Sequence, residues 1–428
     1  MLLDKALTYI SLFSGAGVGC YGLLEEGFEC VATNEILEKR LNIQRINRKC
    51  KLDESYISGD IKKPETKEKI LKQIGFYSKK FGNDRVDLVI ATPPCQGMSV
   101  ANRKKKNDEI KRNSLVVKSI DLIKQIKPRF FILENVPSFY KTGCIDKNDN
   151  LLEIGSMIEQ NLSGDYMLYD EVINFKNFGA NSSRTRTLVI GVCKEFKDFI
   201  SALEFFPDFK QEKTLKKVIG SLKQLAWGEY DSADFYHSFR TYPKHMQEWI
   251  RDLKEGQSAF ENVQDAISDL AYLCSNEGVL ESDYLNPIQS SHQALMRKNS
   301  PKLYNHQATN HSQAALEKLK LINKEQGKEC LPKNLHGKQQ FKSTWGRLNW
   351  NKISPTIDTR FDTPSNGTNS HPKLHRSITP REAARIQSFS DNYIFYGNKT
   401  SVCKQIGNAV PPLLALALGK AILKSLRK

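Results

Sequence analysis

The first half of the chain alternates short apolar runs with stretches of helical periodicity, and this pattern limits the fold more than any other feature. Runs typical of β-strands occupy residues 7–13, 28–33, 56–58, 86–91, 130–133, 166–174 and 187–192. Between the fourth and fifth runs, Val116, Ile120 and Ile123 share one face of a predicted helix, which Pro128 ends. Strands separated by helices form βαβ units, so the sequence predicts an α/β fold with a mostly parallel sheet.

After residue 192 the rhythm changes. Residues 196–375 are polar, rich in Lys, Asn, Ser and His, and only weakly periodic. A helical pattern returns over residues 413–423. We therefore predict a large domain of residues 1–195 that is completed by residues 400–428, a smaller irregular domain of residues 196–375, and a hinge over residues 376–399.

The composition argues against several classes of protein. No uninterrupted apolar run reaches the roughly 18–20 residues of a membrane span, and the N-terminus lacks the layout of a signal peptide. The nine cysteines are scattered without a CxxC pair, which argues against a disulfide framework and favours a reducing cytoplasm. His306 and His311 have no matching pair of ligands, so we predict no metal site.

The chain is strongly basic, with a formal net charge of +16 and a pI of about 9.3. Such an excess suggests a polyanionic partner, because each phosphate that a protein neutralises releases counterions. A well-solvated basic surface would give the same numbers, so charge alone leaves both interpretations open.

A glycine-rich turn follows the first predicted strand, where residues 13–19 read Phe-Ser-Gly-Ala-Gly-Val-Gly. Glycines at this place let the backbone approach a cofactor closely. Glu35 ends the second strand, where an acidic side chain meets ribose hydroxyls, and Asp60 ends the third, where it could accept a bond from an adenine amino group. The layout suits any nucleoside-containing cofactor, and a purely structural turn remains the alternative.

Cys95 stands directly after an apolar strand and two prolines, in a run that reads Ala-Thr-Pro-Pro-Cys-Gln-Gly. Proline stiffens the turn, so the thiol would be held at the carboxyl edge of the sheet, where α/β proteins bind ligands. A deprotonated cysteine is an effective nucleophile, although most free cysteines are only small buried residues. The basic run at residues 102–106 could form a loop that grips phosphates and closes over a substrate, or a plain solvated loop.

Further motifs make the chain resemble the DNA cytosine-5 methyltransferase family of bacterial or phage restriction-modification type. The similar motifs are the turn at 13–19, Pro94-Cys95-Gln96, Glu134-Asn135-Val136, Arg184-Thr185-Arg186, residues 379–389 and residues 405–412. They occur in the family's order. The chain departs from the family at Ser182, where glutamine is usual, and at Val18-Gly19, where paired glycines are common.

The resemblance implies a Rossmann-like S-adenosylmethionine-dependent methyltransferase domain and a smaller target-recognition domain. The thiolate of Cys95 would attack carbon 6 of cytosine, which makes carbon 5 nucleophilic toward the methyl group of S-adenosylmethionine. Glu134, kept protonated by burial, would donate to ring nitrogen 3. Arg184 and Arg186 would position the base and support Glu134. The sequence does not identify the base that removes the carbon 5 proton, and a water is plausible.

The resemblance also implies residues that contact ligands. The candidate cofactor contacts are Phe13, Gly15, Ala16, Gly17, Glu35, Ile36, Asp60, Ile61, Pro94, Leu115, Asn408 and Val410. The candidate DNA contacts are Gln96, Ser99, Arg103, Arg347 and Arg360. The long region before residue 376 would read double-stranded DNA after base flipping, but the bases that it reads cannot be derived from the sequence.

The expected protein is a monomeric, cytoplasmic and nucleoid-associated enzyme, functionally paired with a restriction endonuclease without forming a stable complex. Three alternatives stay open at this point. A tRNA-methylating branch shares the catalytic core, although its recognition region is usually compact. A non-catalytic DNA-binding relative would keep the fold without the chemistry. A nicotinamide-dependent oxidoreductase is suggested only by the glycine turn, and Cys20 stands where its third glycine belongs.

Overall fold

The structure is a computed structural model, and it describes residues 5–94, 113, 115–196, 262–323, 327–336 and 343–426. Its strands are β1 (Thr8–Leu12), β2 (Glu29–Glu35), β3 (Tyr56–Ser58), β4 (Leu88–Ala91), β5 (Phe130–Asn135), β6 (Gly143–Ile145), β7 (Leu151–Glu153), β8 (Tyr166–Asn174), β9 (Thr185–Cys193), β10 (Gly278–Ser282), β11 (Leu303–Gln307), β12 (Gly346–Arg347) and β13 (Thr368–Ser370). The seven strands that the sequence predicts are present. The fifth strand extends to Asn135, so Glu134 lies inside the strand and not after it.

The helices of the described residues alternate with these strands in the first half of the chain. They are α1 (Tyr21–Glu25), α2 (Glu38–Ile46), α3 (Pro64–Phe81), α4 (Leu115–Ile126), α5 (Ile154–Leu162), α6 (Val263–Ile267), α7 (Ser291–Arg297), α8 (Gln313–Leu321), α9 (Pro380–Ile386), α10 (Lys399–Gly407) and α11 (Pro412–Leu426). The helix predicted before Pro128 is α4, and the helix predicted over residues 413–423 lies within α11.

The central sheet has seven strands in the order β3-β2-β1-β4-β5-β9-β8. Strands β1 to β5 are parallel to one another, whereas β9 is antiparallel to both β5 and β8. The sheet is therefore mostly parallel, as predicted. The chain order reverses between β1 and β4, and ligands of open α/β sheets bind at the carboxyl ends of strands that flank such a reversal.

Both faces of the sheet are buried, because alternate residues of each strand enter different cores. Tyr9 points into a core that α11 covers, and Ile10 points into a second core that α3, α4 and α5 cover. Helix α11 approaches α1 closely at Gly22. A Cβ atom there would lie 2.1 Å from the carbonyl oxygen of Pro412, so no larger residue fits.

A third core joins the described middle of the chain to its C-terminal part. It contains buried side chains from α6, from residues 357–361 and from α9 and α10, together with Ala16 and Val18 of the glycine-rich turn. The predicted hinge over residues 376–399 contributes Ile378, Ala383 and Phe389, each of which is fully buried.

Among the described residues, one helical stretch is long and apolar enough to cross a membrane by length and composition, namely Lys399–Leu426. Lys404 and Lys420 interrupt this stretch, and 83% of its most apolar 18 residues are buried inside the protein. The packing of Leu414 and Ile422 in the first core accounts for that composition.

Candidate active site

The turn that leads to Cys95 is held from two sides. Cys95 itself lies outside the described residues, as do the candidate DNA contacts Gln96, Ser99 and Arg103. The backbone N–H of Thr92 donates to the carbonyl of Leu12 (3.3 Å), and its hydroxyl donates to the carbonyl of Phe13 (3.1 Å). These bonds join the end of β4 to the end of β1.

Asn135 holds the same turn from the other neighbouring strand. Its side-chain amide donates to the carbonyl of Pro93 (2.9 Å), and its amide oxygen accepts from the backbone N–H of Val136 (2.9 Å). Asn135 is buried. The turn at Thr92 and Pro93 is therefore fixed to β1 and β5 together.

Glu134 lies one residue before Asn135 and is 8% exposed. Its Oε1 atom lies 3.1 Å from Nε of Arg186, which is the second residue of β9. Burial raises the pKa of Glu134 above its ordinary value, and the positive charges of Arg186 and Arg184 only partly oppose this rise. The carboxyl group can therefore hold a proton at a pH at which an exposed glutamate would have lost it.

Arg184 reaches a different set of partners. Its guanidinium donates through Nη1 to the carbonyl of Ile357 (3.3 Å) and to the carbonyl of Gly407. The side chain is buried. The two predicted catalytic arginines therefore have different partners. Arg186 contacts Glu134, whereas Arg184 joins β9 to the segment around residue 357 and to the end of α10.

The glycine-rich turn is supported by polar side chains behind it. The side-chain amide of Gln44 donates to the hydroxyl of Ser14 (2.8 Å) and to the carbonyl of Gly15 (2.7 Å). The hydroxyl of Tyr393 donates to the carbonyl of Ala16 (2.6 Å). Gly17 has a φ of +85°, and a Cβ atom there would lie 2.6 Å from Gln44, so glycine fits both the backbone and the space.

Gly15 and Glu35 form the side of this turn that can receive a ligand. Gly15 has a φ of +54°, and the position of its missing Cβ atom faces open space. The buried carboxylate of Glu35 accepts the backbone N–H of Gly15 (2.9 Å) and that of Leu37 (3.2 Å). Next to this carboxylate, the apolar side chain of Ile36 is 59% exposed. An exposed apolar surface beside a buried acid suits a base and a ribose.

The other candidate cofactor residues occupy two kinds of environment. Pro94 and Asn408 are exposed, and Asp60 is partly exposed. Ile61, Leu115 and Val410 instead pack on or in the hydrophobic cores. Val410 lies against Gly19. A Cβ atom added at Gly19 would be 3.1 Å from the Cβ atom of Val410, so this contact accounts for the glycine at the end of the turn.

The structure corrects the prediction for Arg347, which we expected to contact DNA. Arg347 is only 7% exposed. Its guanidinium donates to backbone carbonyls of Leu319, Ile322, His371 and Leu374. The guanidinium therefore joins two separate segments of the chain inside the protein and is not available to DNA. Arg360, the other described candidate, is exposed.

His306 and His311 have structural hydrogen bonds. The ring of His306 bonds the hydroxyl of Thr379 (3.0 Å) and the carbonyl of Ala271 (2.9 Å), and the ring of His311 accepts from the backbone N–H of Ser377 (3.0 Å). In the part of the chain that the structure describes, no group of three His, Cys, Asp or Glu side chains could hold a metal ion.

Sequence reasoning missed three residues that build the site, namely Gln44, Asn135 and Tyr393. Asn135 belongs to a motif that was recognised, but only its neighbour Glu134 received a role. Gln44 and Tyr393 lie far along the chain from the turn that they support. A polar residue on an otherwise apolar helix face is the one local signal that could have marked Gln44.

Comparisons with known proteins agree on one family. The model of the C-5 cytosine-specific DNA methylase family matches residues 7–424. The chain is 30% identical over 357 residues to the type II methyltransferase M.DdeI of Desulfomicrobium norvegicum, covering 79% of this chain and 72% of that one. It is 26% identical over 425 residues to the type II methyltransferase M1.HphI of Haemophilus parahaemolyticus, covering 99% and 88% of the two chains.

A solved structure has a similar fold. It is a crystal structure of a candidate DNA modification methyltransferase encoded within a prophage, from E. coli, and it superposes with a TM-score of 0.65 at 22% identity. The alignment covers 99% of this chain and 100% of the other.

Proposed function

Because the chain belongs to the C-5 cytosine-specific DNA methylase family, we propose that its pocket methylates carbon 5 of a flipped cytosine in double-stranded DNA, through a covalent adduct with Cys95. The chain is a DNA cytosine-5 methyltransferase, and the two relatives named above are type II methyltransferases. The rival assignment to nicotinamide chemistry has no support in the family match.

The end of β5, where Glu134 and Asn135 lie, supports the proposed mechanism. The carboxyl group of Glu134 is buried and paired with Arg186 at 3.1 Å, and the next residue, Asn135, bonds the carbonyl of Pro93 two positions before Cys95. An acid with a raised pKa therefore lies on the same strand end that holds the turn before the expected nucleophile.

The proposed reaction begins when the thiolate of Cys95 adds to carbon 6 of cytosine. Electrons of the ring move toward nitrogen 3, where Glu134 donates its proton, and carbon 5 becomes nucleophilic. S-Adenosylmethionine, when bound, supplies the electrophilic methyl group. After methylation, nitrogen 3 returns its proton to Glu134 while a base, for which we propose a water, removes the proton at carbon 5. Release of the Cys95 thiolate then restores the aromatic ring.

The residues around the glycine-rich turn fit S-adenosylmethionine. The buried carboxylate of Glu35 would hold the ribose hydroxyls, exposed Ile36 would pack on the adenine, and Asp60 would accept from its amino group. Open space at Gly15 leaves room for the amino acid part, and the exposed residues Pro94 and Asn408 would contact the cofactor. The reversal of chain order between β1 and β4 supports this placement.

We propose that residues 1–195 and 400–428 form the catalytic domain, that residues 196–375 form the target-recognition domain, and that residues 376–399 connect them. The central sheet lies within the first range, and α11 packs on it. The net charge of +16 supports a DNA partner. We further propose a monomeric, cytoplasmic enzyme with a functionally paired endonuclease.

Asn135→Ala is expected to lower the methylation rate by about 10²-fold, because displacements of about 1 Å at a reacting group cost rates of this order. The variant loses the bond to Pro93 that holds the turn to β5, while the bonds of Thr92 to the end of β1 remain. Single-turnover methyl transfer measures the rate, and titration checks that S-adenosylmethionine still binds. Asn150→Ala removes an amide from an exposed bend, where it bonds Asp146, and serves as the control. A wild-type rate in Asn135→Ala would contradict this positioning role.

The function is tested by expressing the chain in cells that lack cytosine-5 methylation and bisulfite-sequencing their DNA, beside a Cys95→Ala variant. We expect protected cytosines within one short motif, and only with the intact cysteine. A parallel assay compares duplex DNA with tRNA as methyl acceptors. Methylation of tRNA alone would favour the RNA branch, and a soluble protein that binds S-adenosylmethionine but methylates neither acceptor would favour a non-catalytic role.

A further inference from the structure

Asp358 organises residues 358–366, a segment within the proposed target-recognition domain. Its Oδ1 atom accepts the backbone N–H of Arg360 (2.6 Å), and its Oδ2 atom accepts the side-chain amide of Asn366 (2.7 Å). One half-buried side chain thus fixes the direction of the chain at Arg360 and closes the loop that follows.

The backbone of the same segment is locked to the catalytic pocket. Ile357 is fully buried, and its carbonyl accepts from the guanidinium of Arg184 (3.3 Å). Gly407 packs directly on the next residue, since a Cβ atom at Gly407 would lie 2.3 Å from the carbonyl oxygen of Asp358. Two residues after Arg184 stands Arg186, which contacts Glu134. The position of residues 357–359 is therefore set relative to the proposed acid.

Arg360 is the one basic residue of residues 357–366. Its side chain is exposed and, among the described residues, forms no ion pair with a carboxylate. Its neighbour Asp362 is engaged differently, with its carboxylate 3.7 Å from the ammonium of Lys399. Phosphate contacts of arginine fix the register of a protein on DNA without reading sequence.

We propose that Asp358 is a positioning residue that holds Arg360 against a phosphate of the bound DNA at a fixed distance from Glu134 and Arg186. The inference rests on the proposed function. A flipped cytosine stays attached to its backbone, so a displaced phosphate displaces the base in the pocket. Nothing in the reaction requires Asp358 to touch the base, the methyl donor or Cys95.

The test measures DNA affinity as a function of salt, together with the methylation rate, for Asp358→Ala, Arg360→Ala and the double variant. Loss of one phosphate contact is expected to reduce the slope of log affinity against log salt by about 0.9. We expect that reduction in each single variant, a methylation rate about 10-fold lower in Asp358→Ala, and no further change of slope in the double variant. Affinity for S-adenosylmethionine should stay unchanged.

Asp362→Asn is the matched control, because it alters a carboxylate four residues along that does not hold Arg360, and it should keep the full salt slope. Asp358→Asn, which keeps the size of the side chain, replaces the alanine variant if that variant does not fold. An unchanged slope in the Asp358 variant, or a double variant whose slope falls by the sum of both changes, overturns the inference while the enzyme remains active. Loss of methyl transfer in the unaltered chain would instead overturn the proposed function, and the inference with it.

Discussion

Replacing Glu134 with alanine is expected to reduce methylation of cytosine by about 10³-fold, the size of a general-acid contribution. The variant removes the one group that we expect to protonate nitrogen 3 of the ring, and it leaves Arg186 without its carboxylate partner. Single-turnover transfer of labelled methyl groups to duplex DNA measures the loss. Glu153→Ala, at an exposed strand end, is the control and should keep the wild-type rate.

The pH dependence of the same reaction gives a sharper test. Burial raises the pKa of Glu134, and only the protonated form can donate, so activity should fall as the pH rises through this raised pKa. Glu134→Gln keeps an N–H donor but cannot transfer a proton, so we expect about a 10²-fold loss together with disappearance of that falling limb. A falling limb that persists in Glu134→Gln would assign the limb to another group and contradict the role.

Arg186 provides an independent check on the sign. Its positive charge lowers the pKa of Glu134 against the larger effect of burial. Removing that charge in Arg186→Ala should therefore move the falling limb to higher pH, in addition to any loss of rate.

The parts of the fold that the sequence predicts are those that short-range patterns encode. The inner strands β1, β4 and β5 are mostly apolar runs, because both faces of the sheet are buried there, and Gly15 and Gly17 in the turn have positive φ values that glycine adopts readily. The placement of Glu134 could also be anticipated, since the carboxyl ends of parallel strands share one edge.

The parts that could not be predicted depend on contacts between distant segments. Tyr393 supports Ala16 across 377 positions of the chain, and Arg184 reaches Gly407 across 223. No periodicity in the sequence marks such pairs. Arg347 illustrates the opposite error, because the family resemblance implied a DNA contact there, while its burial and its carbonyl partners emerge only from the folded chain.

The predicted hinge contains a buried ionic network that the sequence did not reveal. Arg385 donates to both carboxylate oxygens of Asp391 (2.9 and 2.6 Å) and also to Asp269. All three side chains are buried. Arg297 forms a second bridge to Asp269, and the hydroxyl of Tyr284 donates to Asp391 (2.8 Å). The network therefore joins the segment around α6 and α7 to α9.

Arg385→Ala is expected to lower the free energy of unfolding by about 3–5 kcal/mol, because removing one partner of a buried ion pair leaves uncompensated charge in the core. Urea denaturation followed by circular dichroism measures the change. Arg45→Ala is the control, since Arg45 pairs with Glu38 and Asp53 at the surface and exposed pairs contribute about 0–1 kcal/mol. Equal losses in the two variants would contradict a stabilising role for the buried network.

The acid sensitivity of this network has a defined sign. Burial opposes ionisation of Asp391, but the guanidinium of Arg385 outweighs it and the pKa of Asp391 is lowered. The stabilisation is therefore complete above the ordinary pKa of an aspartate and is lost as the pH falls through the lowered value. In Arg385→Ala this contribution is absent, so when the pH is lowered the variant should unfold earlier, at a higher pH than the unaltered chain. Because the network connects α6 and α7 to α9, we expect all three helices to be less protected from hydrogen exchange in Arg385→Ala than in the unaltered chain.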